Sequence, residues 1–231
     1  MRHFIPANLR MSTLGACCQS DGAPAVEANV SALSQYNFRG APQNAEAVIQ
    51  GDMNVCKPSI MGGRLDICSW TNWGARDETG DSVLPDGNGR NAKEVYFTGS
   101  WSKDYDSLSG SAGLINYNFP SVAARSTHEL NASVGVDTVA SPSLTNYRDF
   151  DQVEGRYANL RSSHGLEINE GTNAEFSAGV GFTHEDHAAT YYGTIKSGLS
   201  DALISAGITD TSDEQTTPDS ASAWVEVSSK R

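Results

Sequence analysis

The sequence predicts an all-β protein, an antiparallel up-and-down meander that closes into a barrel of about twelve strands. Three observations carry this prediction. Apolar and polar residues alternate with period 2 in many short stretches, whereas helical periodicity is nearly absent. Turn residues separate these stretches at regular intervals, and the connections between them are alternately long and short.

The predicted strands follow one another without a stretch that resembles an interdomain linker. In the strand at 93–104, the apolar set consists of Val95, Phe97 and Trp101. The alternating polar set consists of Glu94, Tyr96 and Thr98, and we expect the apolar set to face outward. The twelve strands are predicted at 26–38, 46–57, 64–73, 93–104, 108–119, 128–138, 142–150, 154–167, 174–184, 187–195, 200–209 and 221–229.

The connections favour an up-and-down barrel over a sandwich with Greek-key crossovers. Alternation of long and short connections places all long loops at one end and all tight turns at the other, as in outer-membrane barrels. By this count the acidic connections at 74–92 and 210–220 leave from the same end. No run approaches the roughly 18 apolar residues of a spanning helix, so any membrane crossing would use strands.

Residues 1–24 are read as a leader or a disordered tail, and residues 25–231 as a single β-barrel domain. Leu14-Gly15-Ala16-Cys17 resembles a lipoprotein cleavage site, but the segment before it contains Pro6, Asn8 and Arg10 and lacks an unbroken apolar run. Cleavage and lipidation therefore stay open.

Two further cysteines lie symmetrically about a glycine turn. Cys56 and Cys68 flank Met61-Gly62-Gly63, and folding a hairpin there would place the two thiols opposite each other. We expect a cross-strand disulfide in an oxidising compartment, with two free thiols as the alternative.

Several motifs resemble a known family. Ser34-Gln35-Tyr36-Asn37-Phe38-Arg39-Gly40 resembles the first-strand signature of the TorF-like porins, conserved outer-membrane proteins of Gram-negative bacteria. The stretches at 135–138, 141–145, 149–151, 154–157 and 163–167 are similar to the same group. The resemblance implies an outer-membrane barrel with passive solute passage, and it implies no catalytic or binding residue.

Candidate sites are few. His184, Glu185 and His187 form a weak candidate for a divalent metal, and a solvated polar turn is the alternative. The acidic loop with Asp77, Glu78, Asp81, Asp86 and Asn88 could hold calcium loosely, although its spacing does not fit an EF-hand. If the barrel is a pore, polar positions of the strands would line it. These are Glu94, Thr98, Asn131, Ser133, Asp137 and Glu175.

The functional prediction is an outer-membrane barrel that acts as a passive pore or structural barrel. The net charge of −12 disfavours nucleic acid as a partner, and no catalytic motif is present, so we do not expect an enzyme. Expected partners are outer-membrane lipid, small solutes and further copies of the chain. The alternative is a structural or self-assembling protein of the periplasm or cell surface, with a soluble barrel.

Overall fold

The computed structural model describes residues 7–8, 24–44, 47–74, 92–120, 124–170, 172–210 and 224–225. Its elements are almost all strands, with one short helix. In chain order these are β1 Ala7–Asn8, β2 Ala25–Leu33, β3 Tyr36–Phe38, β4 Ala41–Asn44, β5 Val48–Ile60, β6 Gly63–Gly74, β7 Ala92–Tyr105, β8 Leu108–Asn118, β9 Thr127–Val136, β10 Ser143–Asp149, β11 Arg156–Asn169, β12 Thr172–Thr183, α1 Glu185–Tyr192, β13 Gly198–Asp210 and β14 Trp224–Val225.

Ten long strands pair antiparallel with their neighbours in chain order, from β2 and then β5 through β13. The two-residue strands β1 and β14 extend the sheet beyond β2, and β3 pairs with β4 in a separate hairpin. β14 approaches β13, but no hydrogen-bonded ladder joins them in the described part of the chain. The antiparallel up-and-down meander is therefore confirmed, and closure into a barrel stays a prediction.

The two ends of the sheet differ in their connections. At one end, here called the turn end, β5 and β6 are joined through Met61–Gly62, and β7 and β8 through Asp106–Ser107. The opposite end, the loop end, receives the connections 34–47, 75–91, 119–126, 150–155 and 184–197. This arrangement agrees with the expected alternation of long and short connections.

One predicted strand is a helix. Residues 187–195 were expected to be extended, but Glu185–Tyr192 form α1, which ends at Gly193 with a φ of 66°. Glu185 and Asp186 in the first turn favour the helix because carboxylates stabilise its positive end. The side chains of His187 and Tyr191, four residues apart, can then face the same side of the helix and contact each other.

The helix also reverses the expected position of one loop. Seven long strands, rather than eight, separate Gly74 from Asp210, so β13 ends at the turn end whereas β6 ends at the loop end. The prediction that the connections 74–92 and 210–220 leave from the same end is therefore wrong, although the meander itself is intact. The acidic residues expected to hold calcium, Asp77 to Asn88, lie outside the described residues.

The expected disulfide between Cys56 and Cys68 is also wrong. The two-residue turn Met61–Gly62 pairs Ile60 with Gly63, and a bulge between Lys57 and Ile60 shifts the register by one more residue, so Cys56 pairs with Asp66 and Cys68 with Asn54. Cys68 is a free thiol. Cys56 is disulfide-bonded, but not to Cys68.

The two faces of the sheet have opposite chemistry. The inner face, defined as the face that contacts the β3–β4 hairpin, buries many polar residues together with a small apolar cluster of Leu33, Tyr36 and Val48. Each of the ten long strands presents at least one large apolar side chain on the other, outer face, with 43 % to 72 % of its surface exposed. Representatives are Val30, Ile49, Ile67, Phe97, Leu114, Leu130, Leu144, Leu160, Phe176 and Ile204.

Candidate functional site

A compact plug lies against the inner face near the loop end. It consists of the β3–β4 hairpin, the turn Arg39–Gly40 that joins its strands, and α1. The hairpin turns back at Arg39 and Gly40, both of which have positive φ. At Gly40 a side chain would be excluded as well, because an added Cβ would lie 2.5 Å from Cβ of Asp201 on β13.

Arg39 is the centre of the plug. Its guanidinium makes a bidentate ion pair with Glu129 on β9, with N–O distances of 2.6 Å and 2.8 Å. The side chains of both residues are at most 9 % exposed. Burial alone would lower the pKa of Arg39, but the hydrogen bond and the charge of Glu129 outweigh it and raise the pKa above its ordinary value. The guanidinium of Arg39 therefore keeps its charge although it is buried.

Aromatic rings enclose the Arg39 guanidinium on several sides. Its central carbon lies 4.6 Å from the ring centre of Phe38, 4.2 Å from that of Tyr147 and 4.7 Å from that of Tyr157. Such cation–π contacts strengthen when water is excluded. A single residue of the hairpin is thus joined to β9, β10 and β11, which lie in the middle of the sheet, far from the hairpin in the chain.

Helix α1 completes the plug from the other side. The Tyr192 hydroxyl donates to the carbonyl oxygen of Arg39. His187 is 2 % exposed and stacks on Tyr157, and its Nδ1 lies 2.8 Å from Oγ1 of Thr183. Its Nε2 lies 3.4 Å from Nη1 of Arg39. Because the guanidinium can only donate, Nε2 accepts and the imidazole is neutral.

The metal site proposed for His184, Glu185 and His187 is not formed. His187 points inward to Thr183 and Arg39, whereas His184 is exposed, with Nδ1 3.2 Å from a carboxylate oxygen of Asp186. His187 lies in the helix and faces the protein, whereas His184 precedes the first residue of the helix and faces solvent. The two imidazoles therefore do not meet. No group of three or more metal-ligating side chains converges anywhere in the described ranges.

Protonation of His187 should weaken the fold at mildly acidic pH. Burial, followed by the charge of Arg39, lowers the pKa of His187 to about 3. Since the folded pKa lies below the unfolded value of about 6.5, the stabilising contribution is complete above pH 6.5 and is lost as the pH falls toward 3. Between pH 7 and pH 5 we expect a loss of about 2 kcal/mol in the free energy of unfolding.

Chemical unfolding at pH 7, 6 and 5 measures this dependence. In His187→Gln the decrease in the free energy of unfolding between pH 7 and pH 5 should be smaller by the same amount. An equal pH dependence in His187→Gln and the native chain would contradict the assignment.

The inner face around and beyond the plug is a hydrogen-bonded polar surface. Thr127 donates to Asp149 at 2.7 Å, Tyr117 donates to Glu129 at 2.9 Å, and Ser177 pairs with Ser205 at 2.6 Å. Buried polar or charged residues are as frequent as buried apolar ones in the described residues, ten against nine. Water-soluble domains bury apolar side chains instead.

Below the plug, toward the turn end, the inner face borders a partly open cavity of about 460 Å³. The plug residues Tyr36 to Gly40 border it on one side. Trp70 and Tyr96 form an aromatic wall, stacked with ring centres 4.5 Å apart and an angle of 29°. Asn159 and Arg161 on β11 and Asp201 on β13 border it elsewhere.

Five of the six expected pore-lining residues belong to the inner-facing set of their strands, as their cross-strand partners indicate, and Asp137 lies just beyond the end of β9. Glu94 is 9 % exposed and accepts a hydrogen bond from Tyr96. Thr98, Asn131 and Ser133 are half-buried, and Asp137 and Glu175 are exposed nearer the turn end. None of the six borders the cavity, and their role along a passage stays a prediction.

Sequence reasoning missed the plug. The run Tyr36-Asn37-Phe38-Arg39-Gly40 was read as the end of a straight first strand and the start of a loop, but it folds back over the inner face. The signal available in the sequence was Arg39 between Phe38 and Gly40. An exposed loop would need neither the aromatic residue nor the glycine at this point.

Comparison of the chain with family models, with curated proteins and with solved structures finds no match. Within the described residues, no helix has the length and apolar character that crossing a membrane requires.

Proposed function

We propose that the chain is an outer-membrane β-barrel whose outer face contacts lipid and whose inner face lines a solute passage narrowed by the plug. The observation that carries the proposal is the inverted polarity of the sheet. Apolar side chains are exposed on the outer face of every long strand, and polar side chains are buried on the inner face.

The outer face is difficult to reconcile with contact to water. Soluble monomers seldom expose a continuous apolar patch larger than a few hundred Å². Here the exposed apolar residues lie on ten neighbouring strands of one sheet. In a bilayer this face would be buried in hydrocarbon, which is the arrangement of transmembrane barrels.

The charged residues of β10 and β11 fit the same interpretation. Asp149, Asn159 and Arg161 belong to the inner-facing set, because they alternate with Leu144 and Leu160 on the outer face. Arg148 and Arg156 pair across the two strands on the outer face, next to the loop end. Arginine costs little free energy at the edge of a bilayer, in contrast to its middle.

The polar inner face, with a plug near one end and a cavity below it, favours passive passage over catalysis. Small barrels fill their interior with side chains, and wider ones leave an aqueous channel. Ten long strands with a separate plug suit a channel that is narrow at the loop end and wider toward the turn end. Movement of the plug would then admit small solutes.

Fractionation and detergent dependence test the proposal. The full chain should sediment with outer membranes, resist extraction by high salt, and remain monodisperse only in detergent micelles. Purified protein in planar bilayers should give discrete conductance steps. A detergent-free, monodisperse oligomer would contradict membrane insertion and favour the alternative, a self-assembling surface protein whose apolar face packs against its own copies.

A further inference from the structure

The cavity below the plug holds a cation that the fold leaves without an ion-pair partner. Arg161 belongs to the inner-facing set of β11 and borders the cavity, and no carboxylate in the described part of the chain makes an ion pair with it. Arg39, the other arginine at the cavity, is fully occupied by Glu129. Arg161 is exposed although it is on the inner face.

Small residues on the neighbouring strand make room for this arrangement. The stem of Arg161 crosses Gly179 on β12, where an added Cβ would lie 3.0 Å from Cγ of the arginine. At Gly181 an added Cβ would lie 2.1 Å from a carboxylate oxygen of Asp201 and 2.4 Å from the Tyr157 hydroxyl. Larger residues at these two positions would displace the polar side chains that border the cavity.

The acid that borders the cavity, Asp201, already accepts hydrogen bonds from neutral donors. Asp201 accepts hydrogen bonds from the Tyr157 hydroxyl at 3.1 Å and 3.2 Å and from the Ser200 hydroxyl at 2.7 Å. It therefore does not need Arg161 as a partner. A ligand with a carboxylate could take the guanidinium in the bidentate geometry that arginine favours.

The aromatic wall would contact the part of the ligand that does not carry the carboxylate. Trp70 and Tyr96 border the same cavity as Arg161, and a volume of about 460 Å³ lies in the usual range for small-molecule sites. We propose that this cavity binds a small monocarboxylate whose aromatic or apolar body lies against Trp70 and Tyr96. The inference that such carboxylates are the solutes of the passage rests on the proposed function, whereas their binding to the cavity does not require a membrane.

Equilibrium titration in detergent micelles tests the proposal with benzoate, its neutral analogue benzamide and the cation benzylamine as probes. Benzoate should bind saturably, and benzamide and benzylamine at least about tenfold more weakly, because hydrogen bonds to a charged group are the strong ones. Arg161→Gln should remove the preference for benzoate, and Arg161→Lys should keep part of it. Trp70→Leu should weaken benzoate and benzamide alike.

Arg148→Gln is the matched control, since it removes an arginine from the outer face of the neighbouring strand and should bind benzoate as the native chain does. Equal affinity for benzoate and benzamide, unchanged benzoate binding in Arg161→Gln, or no saturable binding would overturn the proposal. Conductance in bilayers tests the passage separately, so a chain that binds benzoate without conducting would contradict only the proposed function.

Discussion

Replacement of Arg39 by alanine should destabilise the protein by about 3–5 kcal/mol, the range found when one partner of a buried ion pair is removed. The variant leaves the carboxylate of Glu129, with a side chain 5 % exposed, without its bidentate partner. It also removes the cation from the ring faces of Phe38, Tyr147 and Tyr157. Chemical unfolding in micelles measures the loss.

A double-mutant cycle separates the ion pair from general damage to the plug. Arg39→Met with Glu129→Leu replaces both charges by apolar side chains of similar length, so no buried charge remains. Such replacements are often close to neutral, and we expect the double variant to be more stable than either single one. Additive losses from the two single replacements would show that the pair is not coupled.

The variant Arg39→Ala also tests whether the stability of the plug controls the passage of solutes. Arg39 is the residue that joins the hairpin to β9, β10 and β11, so its loss should release the hairpin from the inner face. In planar bilayers Arg39→Ala should spend more time in open levels, by about tenfold for each 1.4 kcal/mol lost from the closed arrangement. Unchanged conductance in a correctly inserted variant would show that the plug does not restrict passage.

The sequence was informative about the strands because their alternation is local. Nine of the ten long strands coincide with predicted ones to within three residues, whereas the first predicted strand, 26–38, is divided into β2 and β3. The polarity of the outer face was also foreseeable: Phe97 was expected outside and is 53 % exposed, while Glu94 and Tyr96 are on the inner face. Alternation with period 2 identifies the two faces wherever one of them is consistently apolar.

The misses arise where long-range contacts decide the local structure. Cys56 and Cys68 are symmetric about Gly62 in the sequence, but the hairpin turns at Met61–Gly62 and a bulge in β5 shifts the register by one more residue. Such a bulge is not visible in an alternating pattern. Helix α1 spans only eight residues, and contacts of His187 and Tyr192 with Thr183 and Arg39 stabilise it. Isolated helices of this length are unstable in water.

The candidate site could not be predicted from the sequence for the same reason. Arg39 and Glu129 are 90 residues apart in the chain, and Tyr157 and Asp201 are 44 apart. The sequence marks each of them only as one of many charged or aromatic residues. Their convergence depends on the fold-back of the hairpin and the curvature of the sheet, neither of which is encoded in a local pattern.

A pair of arginine substitutions on one strand should distinguish a lipid-facing surface from a water-facing one. Leu114 and Leu108 both belong to the outer face of β8 and are 43 % and 51 % exposed. Leu114 lies in the middle of the strand, and Leu108 begins it at the turn end. They are six positions apart, roughly 20 Å along an antiparallel strand.

In a bilayer, Leu114→Arg should cost about 2–4 kcal/mol, whereas Leu108→Arg should cost at most about 1 kcal/mol, because the penalty falls from the midplane to the interface. In water both leucines would be ordinary surface positions, and each substitution should change stability by no more than about 0.5 kcal/mol. Reversible unfolding of both variants in lipid vesicles gives the two values. Equal small effects would argue that water, and not hydrocarbon, covers the outer face, and a large effect confined to Leu114 would place the middle of β8 in the membrane.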